Sequence, residues 1–156
     1  MSSSIHLHRK SRLTVLAVAL LSGLFVGFGA TAAYAGTAYS AWGYYTINSV
    51  NYRNQAVIIT NPTTNAAGSN TYLGGTNTAV PSGWGGNRAR TFNSSDVMVC
   101  QTGILYNSGT LAAGGYYSNS CGVTAVGAFY GYGVTWGWTG SAYSARYTFK
   151  SPNQNT

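Results

Sequence analysis

Residues 129–138 alternate with period two, and that alternation leaves little room for any element but a β-strand. Tyr130, Tyr132, Val134, Trp136 and Trp138 fall on one face. Gly131, Gly133, Thr135 and Gly137 fall on the other, together with Phe129. Successive side chains of a strand point to opposite sides, so the segment has one very bulky face and one nearly bare one. Thr139-Gly140-Ser141 then supplies a turn. Beyond it Tyr143, Ala145, Tyr147 and Phe149 alternate with Ser144, Arg146, Thr148 and Lys150, which predicts a second strand with an apolar and a polar, cationic face. The two segments suit an antiparallel hairpin in which aromatic rings pair across the strands. Ser151-Pro152 ends the pairing, and residues 151–156 are expected to be a flexible polar tail.

The rest of the chain belongs to the same class. After Gly36 the only leucines are Leu73, Leu105 and Leu111, and the chain contains no Glu. Helix formers are therefore scarce, while Tyr, Val, Thr and Trp favour strands. Short apolar runs punctuated by turn residues predict an all-β fold, a single small antiparallel β-sandwich spanning residues 36–150. The expected strands are Tyr39–Ile47, Asn51–Thr60, a short Thr71–Leu73, Ala89–Phe92, Val97–Tyr106, Tyr116–Ser120 and Gly122–Val126. Residues 74–88, with two Gly pairs, Pro81 and Trp84, are expected to be a long loop.

The N-terminus predicts export. Arg9, Lys10 and Arg12 precede an uncharged apolar run from Leu13 to Phe28, and Ala33-Tyr34-Ala35 gives a small-x-small cleavage pattern before Gly36. The uncharged stretch as a whole, Leu13 to Gly36, is long enough to remain as a membrane anchor. The crowd of small residues at its end and the lack of a basic stop-transfer cluster favour cleavage of residues 1–35, with no stable membrane span afterwards. Both histidines, His6 and His8, leave with that segment. What remains carries Arg53, Arg88, Arg90, Arg146 and Lys150 against the single acid Asp96, a formal charge of +4. The expected location is extracellular or at the cell wall.

Cys100 and Cys121 are the only cysteines, an even count in an exported chain, and predict one intramolecular disulfide. The alternatives are two free thiols or a metal pair. With no histidine and one Asp, the set cannot complete a tetrahedral zinc site. The same inventory argues against catalysis. There is no Ser-His or Cys-His pair, no second carboxylate for glycoside hydrolysis and no phosphate-cradling Gly-Lys-Ser/Thr motif. No enzyme activity, metal or cofactor is expected. Asp96 reads as a turn former paired with Arg88 or Arg90.

The aromatic side chains carry the functional expectation, and each has two readings. As core they replace the missing Leu and Ile; as a platform they stack on sugar rings or a protein partner. Trp84, between glycines in an expected loop, is the candidate for exposure, whereas Trp42 reads as core. The candidate binding residues are Trp84, Tyr130, Tyr132, Trp136, Trp138 and Arg146. They suit a non-enzymatic module that binds a cell-envelope glycan or another secreted protein. The five cations are too dispersed for a nucleic-acid tract. The alternatives are a structural or adaptor subunit of a secreted, toxin-like assembly and a small bacteriocin-like antibacterial protein.

Residues 129–154 resemble the C-terminal hairpin of small Tyr- and Gly-rich exported proteins of Gram-positive, actinobacterial-type bacteria. The shared order is aromatic-Gly-aromatic-Gly-Val, a Gly turn, a Tyr-rich strand and Ser-Pro. A looser similarity, in size, export and Tyr/Gly content, links the chain to the lactococcin 972-type bacteriocins. The chain after residue 35 lacks the histidines of that group, and no functional residue carries over from either resemblance.

Overall fold

The computed structural model describes residues 36–156; the expected signal segment, residues 1–35, lies outside the described residues. In chain order the strands begin with β1 (Gly36–Tyr39), β2 (Gly43–Ile47), β3 (Val50–Asn61), β4 (Ala66–Gly75), β5 (Gly85–Arg88), β6 (Arg90–Asn93) and β7 (Met98–Gln101). They continue with β8 (Leu105–Tyr106), β9 (Tyr116–Thr124), β10 (Ala128–Gly131), β11 (Val134–Trp138), β12 (Tyr143–Tyr147) and β13 (Gln154–Asn155). No helix occurs among the described residues, and every strand pair is antiparallel.

One layer is a five-stranded sheet in the order β1-β3-β4-β9, with β2 also paired to β3. The second layer consists of two four-stranded sheets, β13-β10-β6-β7 and β12-β11-β5-β8. β5 runs into β6 through Ala89 and β10 into β11 through Tyr132 and Gly133, so the two sheets follow one another along shared chain segments. The all-β antiparallel fold expected from the alternation is the fold observed. The expected Cys100–Cys121 disulfide is present too. It ties β7, at one edge of the second layer, to β9, at one edge of the first.

Local chemistry explains where the strands differ from expectation. Residues 39–47 do not form one strand. Between the pairs Tyr39↔Val57 and Gly43↔Asn54, three residues stand opposite two, a bulge. Ser40 pins it: its N–H donates to Ala56 O at 2.8 Å, and its Oγ accepts the Ala56 N–H at 3.0 Å. β4 is ten residues long because Gly68, Ser69 and Asn70, which carry no strand signal, lie between β3 and β9 and are paired on both sides. The expected loop 74–88 ends in a strand, Gly85–Arg88, paired with β11 and β8. The two short strands expected over 116–126 are one, β9. The 151–156 tail is not loose: β13 pairs with β10, Ser151 is buried and its Oγ accepts the Gly131 N–H at 2.8 Å.

The interior has two apolar clusters with a polar stretch between them. Ile47, Val50, Tyr52, Leu73 and Val80 form one, with Trp84, Tyr45, Leu111 and Tyr117 packed against it. Ala38, Ile58, Ala67 and Phe129 form the other. Between them Asn54, Ser69, Thr71, Asn87, Thr91 and Thr135 are fully buried. Ser69 Oγ and Thr91 Oγ1 share a hydrogen bond at 2.8 Å, Asn54 Nδ2 donates to Thr135 Oγ1 at 2.8 Å, and Asn87 Nδ2 donates to Thr71 O. Buried polar groups are tolerated when paired; here the pairing is partial, since Asn54 Oδ1, Asn87 Oδ1 and Thr71 Oγ1 are buried with no hydrogen-bond partner among the described residues. The stretch holds the layers together at the glycine-lined part of β10 and β11.

Candidate binding face

The single strand expected over residues 129–138 is two, β10 and β11, in different sheets with Tyr132 and Gly133 between them. The size alternation runs through both, and its orientation decides what the aromatic residues do. Phe129 is buried against Ala38, Ile58 and Ala67 of the interior. A Cβ on Gly131 would lie 2.8 Å from Val57 O, and one on Gly137 would lie 2.9 Å from Tyr52 Cε2. Thr135 bonds to Asn54 and to Tyr45 across the layers. The bare face is therefore the inner one. The bulky face, Tyr130, Tyr132, Val134, Trp136 and Trp138, lies on the other side, but Tyr130 and Val134 are buried within it, at 5% and 2% exposure.

Register extends this outer face across the second layer. Trp138 sits opposite Tyr143, Trp136 opposite Ala145 and Val134 opposite Tyr147. On the other side Trp136 stands opposite Gly86 and Val134 opposite Arg88, and Gly86 stands opposite Tyr106. Because Asn87, Ala89 and Thr91 are fully buried, the alternating Gly86, Arg88, Arg90 and Phe92 share the outer face. A Cβ on Gly86 would meet Trp136 Cβ at 3.2 Å and Tyr106 Cε1 at 3.1 Å, so a bare backbone floor separates those two rings.

The rings form a nearly continuous series. Trp138 and Tyr143 are 5.0 Å apart between centroids, and Tyr143 and Tyr106 are 4.9 Å apart. Further along, Tyr147 stacks on Tyr132 at 5.6 Å, Tyr132 approaches Phe92 at 6.0 Å, and Phe92 stacks on Tyr130 at 5.3 Å. Tyr147, Tyr143 and Tyr106 are exposed at 58%, 40% and 39%, while Trp136, Trp138 and Tyr132 are half-buried.

Cations are interleaved with these rings. The Arg88 guanidinium lies 5.6 Å from the Trp136 ring centre, and that of Arg90 lies 5.9 Å from Tyr147. Lys150 Nζ lies 4.6 Å from the Tyr130 ring. All five cations of residues 36–156 stand over an aromatic ring, the other two being Arg53 over Trp42 and Arg146 over Tyr45. With one acid in that stretch, π-faces take the place of carboxylates as partners. That acid, Asp96, accepts from Tyr130 OH at 2.6 Å and from Lys150 Nζ at 3.0 Å. The Tyr130 hydrogen bond and then Lys150 hold its carboxyl below the usual range. Bonds to Tyr130 and Asp96 raise Lys150. Burial, followed by the Asp96 carboxylate, raises Tyr130.

Four of the six candidate residues, Tyr130, Tyr132, Trp136 and Trp138, therefore share one face. Two do not join it. Trp84 is half-buried against the Tyr52 cluster, and its carbonyl accepts from Tyr52 OH at 3.1 Å and from Trp138 N at 3.0 Å. Gly83 before it sits in a turn at φ 76° with open space around it, as a loop requires, whereas Gly85 and Gly86 after it are closely packed in β5. Arg146 stands opposite Thr135, on the other side of β12 from Tyr143 and Tyr147, and leans towards Tyr45. Trp42 is not core but half-buried beneath Arg53, at 4.7 Å. Asp96 is a turn former as expected, with φ of 60°, yet its partners are Lys150 and Tyr130 and not Arg88 or Arg90. The residues the sequence reading missed are Arg88, Arg90, Tyr106, Tyr143 and Tyr147. The alternation Gly86-x-Arg88-x-Arg90-x-Phe92 was the available signal.

Fold and face together define a disulfide-linked all-β domain with an outward aromatic–cationic strip. Among the described residues no three of His, Cys, Asp and Glu stand together as metal ligands. No family model matches the chain, and no curated protein and no solved structure shows a match to it.

Proposed function

We propose that this protein is an exported, non-enzymatic recognition module that holds a cell-envelope glycan on the outer aromatic face of its second layer. One observation carries the reading: the glycine side of β10 and β11 is buried, so Trp136 and Trp138 stand on the outside, beside Tyr143, Tyr147 and Tyr106. Flat rings with polar edges suit stacking on the C–H face of a sugar. The disulfide supports export. The lack of histidine after residue 35 and the single acid support a role without acid–base chemistry. Pull-down on purified cell-wall polysaccharide tests the reading. The wild-type protein is expected to be retained. Trp136→Ala with Trp138→Ala should weaken retention about tenfold, and Arg146→Gln on the other face should not. No retention, or equal retention of the tryptophan variant, refutes it.

A second reading, an adaptor subunit of a secreted assembly, is favoured by exposed tyrosines spread over the first sheet. Tyr39, Tyr44 and Tyr116 of the first sheet are exposed at 59%, 66% and 57%. Light scattering that finds only a monomer across the accessible concentration range argues against that reading.

A further inference from the structure

We infer that the polymer held on the outer face is anionic, an envelope polysaccharide or polyol chain with a regular phosphate or carboxylate repeat. The inference rests on the glycan reading above and narrows its ligand class.

Charge complementarity carries it. Of the three cations on this face, Lys150 is neutralised by Asp96, which is the one ion pair among the described residues. Arg88 and Arg90 have no carboxylate, and among the described residues their buried Nε atoms find no hydrogen-bond acceptor. The buried Nε atoms lie out of reach of an external ligand, so an acidic polymer would meet the guanidinium charge and its remaining N–H donors. Each guanidinium is held near a ring, Trp136 for Arg88 and Tyr147 for Arg90. A planar guanidinium fixed over a ring keeps its fork of N–H donors in one orientation, the geometry that suits phosphate and carboxylate.

Spacing adds a second constraint. Arg88 ends β5 and Arg90 begins β6, with Ala89 alone between them, so their Cα atoms are at most about 7 Å apart. Adjacent monomers of a phosphodiester-linked polyol or of a polyuronate present charges at comparable intervals. Exposed Tyr147 and half-buried Trp136 flank the pair, so a chain lying along the strip meets a ring beside each charge. The face is also poor in ionised acceptors. Its one carboxylate is engaged by Lys150 and Tyr130. A neutral glucan, whose hydroxyls donate as well as accept, finds fewer partners here than a polyanion does.

The test compares immobilised poly(glycerol phosphate), polygalacturonate, a neutral β-glucan and oligo(dT). The proteins are the full mature chain, Arg88→Gln/Arg90→Gln, Arg88→Lys/Arg90→Lys and Trp136→Ala. The wild type is expected to bind at least one anionic polysaccharide about tenfold or more tightly than the neutral glucan, and the stronger of the two names the charged group. Raising NaCl from about 0.05 to about 0.5 M should weaken that binding about fivefold or more, a readout that needs no variant. The Gln pair should lose about tenfold or more, and the Lys pair, which keeps the charge but not the fork, should fall between. Equal binding of neutral and anionic polymers, insensitive to salt and lost only in Trp136→Ala, overturns the anionic inference and leaves the platform standing. No binding to any polysaccharide overturns both. Tighter binding of oligo(dT) than of either acidic polysaccharide overturns the inference in favour of a single-stranded nucleic acid.

Discussion

Glycine at position 137 is the residue on which the outward face depends. Its backbone passes over the ring of Tyr52, which is fully buried and anchored by its hydroxyl to Trp84 O. A methyl group there would lie 2.8 Å from Ile47 Cδ1, the end of a flexible side chain, and 2.9 Å from Cε2 of the fully buried Tyr52 ring, which would have to shift. Gly137→Ala is therefore expected to cost about 1–3 kcal/mol through overpacking, read as a lower urea midpoint with an unchanged slope. Gly103→Ala, where nothing lies within 4 Å of the added Cβ, should be close to neutral. If both variants unfold at the wild-type midpoint, β11 does not press on Tyr52 as described. The same position fixes function: only because residues 131, 133 and 137 are bare can the layers approach and leave the tryptophans outside.

At the scale of elements, the alternation of residues 129–138 was fully legible, because period two requires only the order of side-chain sizes. Its division into β10 and β11 at Tyr132-Gly133, and the orientation of the two strands, were not. Alternation states that two faces exist; which one turns inward depends on what Tyr52, Thr71 and Val57 of the opposite sheet already occupy. The centre of β4 was hidden because Gly68, Ser69 and Asn70 are held by their place between β3 and β9 and by the Ser69–Thr91 bond, neither of which propensity can see. The aromatic half of the candidate face was visible, and its cationic half was lost with the strand Gly85–Arg88. The β2–β3 hairpin offers a test at this scale. Its two-residue turn places Asn48 at φ 49° and Ser49 at φ 62°, with Ile47 opposite Val50, the arrangement of a type I′ turn. Asn tolerates that region well and serine less so. Ser49→Gly is expected to raise stability by up to about 1 kcal/mol, since relief of the left-handed strain exceeds the entropy glycine adds to the unfolded chain. A drop in melting temperature would contradict the turn assignment.

For the whole molecule, two features set the response to conditions. The first is the disulfide, which closes a loop of 21 residues' separation and joins the edges of the two layers. Replacing both cysteines by alanine should cost about 3 kcal/mol on the loop-entropy estimate. Reduction of the wild type should lower the melting temperature in the same direction. The second is the titration inventory. After residue 35 there is no histidine, and Asp96 is the only acidic side chain, so nothing but the chain termini titrates between the carboxylate and phenol ranges. Asp96 is lowered in the fold, so its contribution is present above the ordinary carboxylate pKa and is lost as pH falls through the lowered value. Stability should accordingly be nearly flat from about pH 5 to about pH 9. At high pH the tyrosines decide. Burial raises Tyr45, Tyr117 and Tyr52 above the ordinary phenol pKa of 10.0. The unfolded chain then loses protons that the folded one keeps, so stability is full below that value and falls as pH rises beyond it. Each such tyrosine contributes up to about 1.4 kcal/mol per pH unit. Melting temperatures followed from pH 5 to 12 should therefore trace a plateau that breaks near the phenol range. Tyr45→Phe should soften the break, at the cost of the hydroxyl's hydrogen bond with Thr135 at 2.9 Å. A break near neutral pH would mean that a group other than these tyrosines controls unfolding.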